Sequence, residues 1–256
     1  MAMQLRSRRQ INEMREAGRL VGKTFEYLRP YIRPGVTTLE LDQLAEEFIR
    51  KHGGIPAYKG YAPRGVPPFP ATICVAPNDV ICHGIPDKTT LKEGDIIGID
   101  IGAKLNGWYG DSCVTFAVGN ISPEAAKLMK VAEECMWLGI EQAKANAHLG
   151  DIGAAIQEHA HANGFSVVRE WTGHGVGERL HEDPTVPHYG KAGTGVRLRP
   201  GLIFTVEPMI NIGGYATKVD RRDQWTVRTV DGSLSAQFEH AIVVTDSGEP
   251  EILTLP

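Results

Sequence analysis

The sequence predicts a mixed α/β chain of the α+β kind, two αβ halves around one cleft, and three observations carry that reading. Helical and strand patterns run in the order helix, helix, strands, and the order then repeats. Residues 91–100 (LKEGDIIGID) align without gaps to residues 198–207 (LRPGLIFTVE), both reading Leu-x-x-Gly-x-Ile-x-x-(Ile/Val)-acid. Each copy closes on a carboxylate, so related halves facing each other would set Asp100 and Glu207 on opposite walls of the cleft. No linker composition separates the halves, about 8–118 and 122–256, so residues 1–256 read as a single domain.

The elements follow in order. Ile11, Met14, Gly18, Val21, Phe25 and Leu28 recur at helical spacing and predict a helix over 8–29, interrupted by Pro30 and the Arg-Pro-Gly at 33–35. Thr38 suits an N-cap for a second helix with Leu39, Leu41, Leu44, Ala45, Phe48 and Ile49 as its apolar positions, ending at Gly53 and Gly54. Residues 59–71, rich in Pro, Gly and Tyr, read as a loop. Strands are expected at 72–76, 95–101 and 112–118, the last two joined by a hairpin with Asn106 and Gly107 at its tip. Ser122 and Pro123 open a helix running to about Ala147, and a further helix covers 151–163 before Gly164. Later strands are expected at 166–171, 202–207, 224–229 and 238–244.

Composition narrows the function classes. A chain of 256 residues, 42% hydrophobic, is long enough to bury one sizeable core. Its net charge of −4 is too mild for nucleic-acid binding by bulk attraction. No apolar run reaches the roughly 18 residues of a membrane span, and no apolar stretch follows the basic start MAMQLRSRRQ, so neither membrane insertion nor secretion is expected. The four cysteines form no Cys-x-x-Cys pair, and reduced thiols in a cytoplasmic protein are expected.

The chemistry-bearing residues stand where polar groups are costly. Asp100 ends an apolar strand, and the hairpin would bring Asp111 beside it; two adjacent carboxylates repel unless they share a proton or a metal. His174 lies among glycines in TGHGVG, with space around an imidazole that suits Zn, Co, Mn or Fe(II). Glu207 ends a second apolar strand before Pro208, and Glu239 lies within the β-prone run FEHAIVV. One at a time, each is equally well a turn residue, a surface His or an edge-strand charge. Taken together, four carboxylates and one imidazole offer hard ligands for a dinuclear site, in which two divalent ions would balance the four negative charges.

The blocks CHGIP (82–86), IDIG (99–102), YGDS (109–112), TGHGVG (172–177), HEDP (181–184), FTVEPM (204–209) and SAQFEHAI (235–242) resemble, in order and over essentially the whole chain, those of the type I methionine aminopeptidases. The resemblance implies the pita-bread fold, a curved antiparallel sheet with the site on its concave face. It implies two divalent metal ions (Co, Mn, Fe(II), Zn or Ni): Asp100 on one, His174 and Glu207 on the other, Asp111 and Glu239 bridging. It implies substrate-facing imidazoles at His83 and His181, and a methionine pocket walled by Tyr61, Phe69, Cys74 and Trp225. Residues 58–71 carry a longer Pro-rich stretch than the family pattern, and Leu180 stands where an aromatic residue is common.

The implied activity is removal of the N-terminal methionine from nascent proteins and peptides, preferentially before a small second residue. A hydroxide generated at the metals would attack the scissile carbonyl, Glu207 would pass the proton to the leaving amine, and His181 would help to hold the oxyanion. Nascent polypeptide N-termini are the implied substrates and the ribosome an implied partner, with the chain expected as a monomer. Two other readings use the same residues. A proline-specific dipeptidase of the same superfamily is one, although such enzymes usually carry an extra N-terminal domain and only about 70 residues precede the first sheet strand expected here. A non-catalytic binding member of the fold is the other, although such relatives typically lose metal ligands.

Overall fold

The computed structural model describes residues 3–256. Helix α1 (Arg8–Leu28) begins at Ser7, whose hydroxyl accepts from the Gln10 amide while the Gln10 side chain accepts from the Ser7 amide. A 3-10 turn (Arg29–Tyr31) carrying Pro30 ends it. Helix α2 (Thr38–Lys51) is capped by Thr37, not Thr38: the Thr37 hydroxyl and Glu40 form a second capping box. Thr38 is the first helical residue, and its hydroxyl bonds Asp87 instead.

Five strands follow or intervene: β1 (Ile55–Pro56), β2 (Ile73–Pro77), β3 (Val80–Cys82), β4 (Ile96–Leu105) and β5 (Trp108–Ala117). The β4–β5 hairpin is longer than expected, and its tip is the expected one. Leu105 pairs with Trp108, and Asn106 (φ 51°) and Gly107 (φ 92°) both take the left-handed conformation that a two-residue turn needs. Helix α3 (Pro123–Glu141) is capped by Ser122, as expected, but stops short of Ala147. Residues 146–149 are drawn off to the neighbouring chain instead: the amides of Asn146 and Leu149 donate to Leu198 and Val196, and Leu198 donates to Ala147. Helix α4 (Leu149–Ala162) then forms.

The later strands are β6 (Ser166–Val167), β7 (Gly173–Gly175), β8 (Glu182–Val186), β9 (Ile203–Val206), β10 (Met209–Asn211), β11 (Thr217–Val219), β12 (Val227–Thr229), β13 (Ser235–Gln237), β14 (His240–Val243) and β15 (Glu251–Ile252). All registered pairings are antiparallel. β4 lies between β2 and β5, while β15, β14, β9, β7 and β8 make a second sheet in that order. β5 meets β13 and β14 edge to edge: Thr115 Oγ1 donates to Gln237 O at 2.7 Å, Ser112 Oγ to Glu239 O at 2.5 Å, and Glu239 N to Cys113 O at 2.8 Å.

Two apolar layers hold the helices on the sheets. Leu20, Val21, Phe25, Leu41 and Ile49 of α1 and α2 pack on Ile73, Ile97, Ile99 and Ile101. Leu128, Val131, Cys135, Ile152 and Ile156 of α3 and α4 pack on Phe204, Val206, Ile210 and Ile242. The segments aligned in the sequence thus occupy matching places, each a strand covered by its own helix pair. The match has one difference. β4 is continuous through Asp100, whereas the second copy breaks at Glu207 and Pro208. Register survives the break: Val206 pairs with His240 and Met209 with Gln237, which sets Glu207 opposite Glu239.

Candidate metal centre

The strand pattern delivers the acids to one place. Asp100 pairs across β4–β5 with Cys113, and Asp111 with Gly102, so both carboxylates leave the same hairpin two rungs apart. Glu239 is not inside a strand, as the β-prone run suggested; it occupies the gap between β13 and β14, its amide diverted to Cys113 O. Asp111, His174 and Glu239 each bring a ligand atom within 4.8 Å of the others. His174 Nε2 lies 3.6 Å from Asp111 Oδ2 and 3.5 Å from Glu207 Oε1. Tyr58 Oη contacts both Asp100 Oδ1 and Asp111 Oδ1.

The glycines around His174 make a strand, not the loop the sequence suggested. A Cβ on Gly173 would stand 2.5 Å from Thr205 O, and one on Gly175 2.3 Å from Asp183 O. Glycine is what lets β7 slip between β9 and β8. Within that strand His174 Nδ1 donates to Gly175 O at 3.0 Å, which leaves the Nε2 lone pair facing the acids. Thr205 Oγ1 donates to Glu207 Oε1 at 2.6 Å and accepts from His174 N at 3.0 Å, tying the two together. Gln237 Nε2 donates to Glu207 Oε2 at 3.1 Å, and Glu207 N donates to His188 Nε2 at 3.1 Å.

Burial sets the electrostatics. It pushes the Asp100 carboxyl up to about 7 against the lowering effect of Tyr58, and Glu207 up to about 8. Asp111 and Glu239 are raised well above the ordinary carboxylate range, by burial first and then by neighbouring acids. Burial holds the His174 ring neutral, at about 3, and His83 at about 4. Three buried acids and the half-buried Asp100, with no Lys or Arg in the cavity lining and one neutral imidazole lone pair facing them, have the chemistry of a divalent-cation site. Asp111, His174 and Glu239 suffice to hold one ion.

The acids line the floor of a cavity of about 600 Å³. Its walls include every other residue singled out in the sequence: Tyr61, Phe69, Cys74, Trp225, His83 and His181. Phe69 meets Trp225 edge-on at 5.2 Å, and Trp225 Nε1 donates to Pro67 O at 2.9 Å, so the Pro-rich stretch forms one side of the opening. The His181 ring lies 4.2 Å from that of His174 and 5.2 Å from Tyr61, and His83 sits edge-on to Trp171 at 4.9 Å. Leu180 fills in beside Tyr58, Phe69 and Cys74.

Four partners of the centre escaped the sequence reading: Tyr58, Thr205, His188 and Gln237. Thr205 and Gln237 had a signal, because each stands two positions before a site acid on a strand, where alternate residues share a face. Gln237 also occupies, in the second copy, the place that Asp111 occupies in the first. Tyr58 lies in an irregular segment with no periodicity to read, and His188 follows β8 without a motif.

Three comparisons bear on this geometry. The family described as Metallopeptidase family M24 matches residues 12–246. Methionine aminopeptidase A of Synechocystis sp. is 54% identical over 253 residues, covering 98% of this chain and 97% of that protein. The crystal structure of methionine aminopeptidase from Rickettsia prowazekii superposes with a TM-score of 0.96 at 44% identity, covering 99% of this chain and all (100%) of that one. A more distant Xaa-Pro dipeptidase from Bacillus anthracis aligns at a TM-score of 0.76 and 25% identity, with 98% of this chain matching 61% of that one. The antiparallel sheets and flanking helices agree with these likenesses in fold, and the chain belongs to metallopeptidase family M24, among sequences similar to the type I methionine aminopeptidases.

Proposed function

We propose that the chain is a dinuclear metal-dependent exopeptidase that removes N-terminal methionine from nascent proteins and peptides, with Asp100, Asp111, His174, Glu207 and Glu239 as the ligand set. One observation carries it: three buried carboxylates, the half-buried carboxylate of Asp100 and a neutral imidazole lone pair converge on one cavity that also has apolar and aromatic side chains in its lining. Divalent ions held there would lower the pKa of water from ~15.7 toward about 7 and polarise a carbonyl, as in two-metal aminopeptidases generally.

The chain's own residues do the rest. Glu207, which accepts from Thr205 at one oxygen and from Gln237 at the other, would take the proton of the attacking water and return it to the leaving amine. His83 and His181 stay neutral because burial lowers both, so each can donate one N–H to the substrate without adding charge. Tyr61, Phe69, Cys74 and Trp225 form a slot suited to an unbranched apolar side chain and exclude water from it. The free N-terminal amine of the substrate would reach the ion beside Asp100, which limits cleavage to the first peptide bond.

The same reading takes residues 1–256 as one catalytic domain acting as a monomer in the cytoplasm, with nascent chains at the ribosome as its source of substrate. In support, no helix among the described residues is long and apolar enough to cross a membrane. The test is release of methionine from Met-Ala-Ser by metal-stripped protein reloaded with Co, Mn, Fe(II), Zn or Ni in turn, beside a dipeptide ending in proline. Asp111→Ala and Glu239→Ala should each lose turnover together with metal uptake. Cleavage of the prolyl dipeptide alone would favour the Xaa-Pro dipeptidase likeness, and no methionine release with any metal would overturn the proposal.

A further inference from the structure

Among the described residues, the segment before α1 (3–7) contributes nothing to the cavity lining, yet Arg6 is buried there, its side chain only 4% exposed. Its guanidinium forks onto two acids across one turn. Nη1 donates to Glu178 Oε2 at 2.9 Å, and Nη2 to Glu182 at 3.0 and 2.7 Å. Those acids flank Leu180 and His181, which line the cavity together with Glu182 itself. We propose that Arg6 is a positioning residue for the reaction: a strap from the N-terminal segment that holds the turn over residues 177–182, and with it His181, against the cavity. The role in turnover rests on the exopeptidase reading; the strap itself does not.

The geometry on both sides of the turn supports this. Behind it, Arg6 is anchored independently: its amide donates to Gly201 O at 2.7 Å, Leu5 bridges Leu202, and the guanidinium stands 5.1 Å above the Trp108 ring. A Cβ on Gly177 would sit 2.6 Å from Arg6 Nη2, and one on Gly201 would sit 2.7 Å from Arg6 O. Glycine at these places is what admits the strap. In front, Leu180 is buried among Tyr58, Phe69 and Cys74, and the His181 ring lies between those of Tyr61 and His174.

Several bonds shape the turn: Tyr109 N donates to Gly177 O at 2.8 Å, Gly177 N to Arg179 O at 3.1 Å, and Arg179 N to Glu182 Oε1 at 3.0 Å. The last of these uses the very carboxylate that Arg6 fixes, so releasing Arg6 frees Glu178 and Glu182 together and loosens the stretch between them. A planar fork locks two carboxylates in direction as well as in distance; an ammonium on a flexible stem can hold one.

The test compares Arg6→Met and Arg6→Lys with the unmodified, metal-loaded protein, each alone and with His181→Ala. Two quantities are read: kcat on Met-Ala-Ser, and hydrogen–deuterium exchange of the peptide covering 177–182. Arg6→Met is expected to lower kcat roughly 10- to 100-fold, the scale of a small misplacement of a reacting group. Metal content should not change, exchange in the turn should rise about tenfold, and Arg6→Lys should lie between. In the His181→Ala background the same substitution should cost less than about twofold, because the residue it positions is gone. An equal loss in both backgrounds, or exchange unaltered by Arg6→Met, overturns the proposal. Absence of turnover in the unmodified protein overturns the exopeptidase reading instead, and exchange then decides whether the strap exists.

Discussion

Removing the metals should make the protein less stable as the pH rises from 7 to 8.5, against the usual tendency of folded carboxylates. Asp100 and Glu207 are held above their ordinary range by burial, at about 7 and about 8. Their folded values lie above the unfolded ones, so the stability they contribute is complete below the unfolded pKa. It is lost as the pH climbs through about 7 and then about 8. At about 1.36 kcal/mol per pH unit for each fully protonated group, the partly protonated pair loses about 2 kcal/mol over this interval. Asp111 and Glu239, raised further, add loss of the same sign. The depressed imidazoles of His83, His174, His181, His188 and His240 act oppositely but mostly below about pH 6.5, where unfolded histidines titrate. The raised thiols act in the same direction as the acids, chiefly near pH 9. The assay is thermal unfolding in EDTA and in excess Mn(II) at closely spaced pH. At roughly 2–4 °C per kcal/mol for a chain of this size, the metal-free midpoint should drop by about 5 °C or more, and the drop should vanish with Mn(II). A metal-free midpoint that stays level or rises would refute the reasoning, because the acids would then not be buried together.

Three smaller predictions accompany it. Tyr58→Phe keeps the ring against Phe69 but removes the hydroxyl from Asp100 and Asp111, and should weaken Mn(II) affinity roughly 10-fold by calorimetric titration. Gly175→Ala puts a methyl 2.3 Å from Asp183 O, forcing β8 away from β7; unfolding in urea should show about 1–3 kcal/mol lost. Thr37→Ala removes the cap of α2, outside the cavity lining, and should cost about 1 kcal/mol with kcat on Met-Ala-Ser unchanged.

Much of this site was legible because burial of charge is visible as an interruption of apolar pattern. Asp100 and Glu207 stand out against isoleucine and valine, and the Asn106–Gly107 tip fixes which residues of the hairpin lie side by side. The start of α3 was legible through Ser122 and the Pro123 that follows. Other features depend on contacts the sequence does not carry. α3 ends at Glu141 rather than near Ala147 because the backbone after it pairs with residues 196–198, a tertiary competition that alanine-rich composition cannot reveal. The Gly-x-Gly around His174 looks like loop composition, yet the glycines serve a crowded central strand. The break at Glu239 follows from the meeting of two sheet edges, where its amide finds Cys113 rather than a strand partner. Arg6 lies outside every periodic segment, and only its placement under the turn gives it meaning.

Glu239 meets Asp111 only where β5 abuts the interrupted run of β13 and β14, and His174 arrives on a strand that belongs to the far sheet. Neither portion of the chain, folded by itself, would own a complete set of donors. Tight uptake of a cation would therefore signal that assembly across that seam has finished, and an ion held there would act as a rivet between parts that otherwise repel at their point of contact.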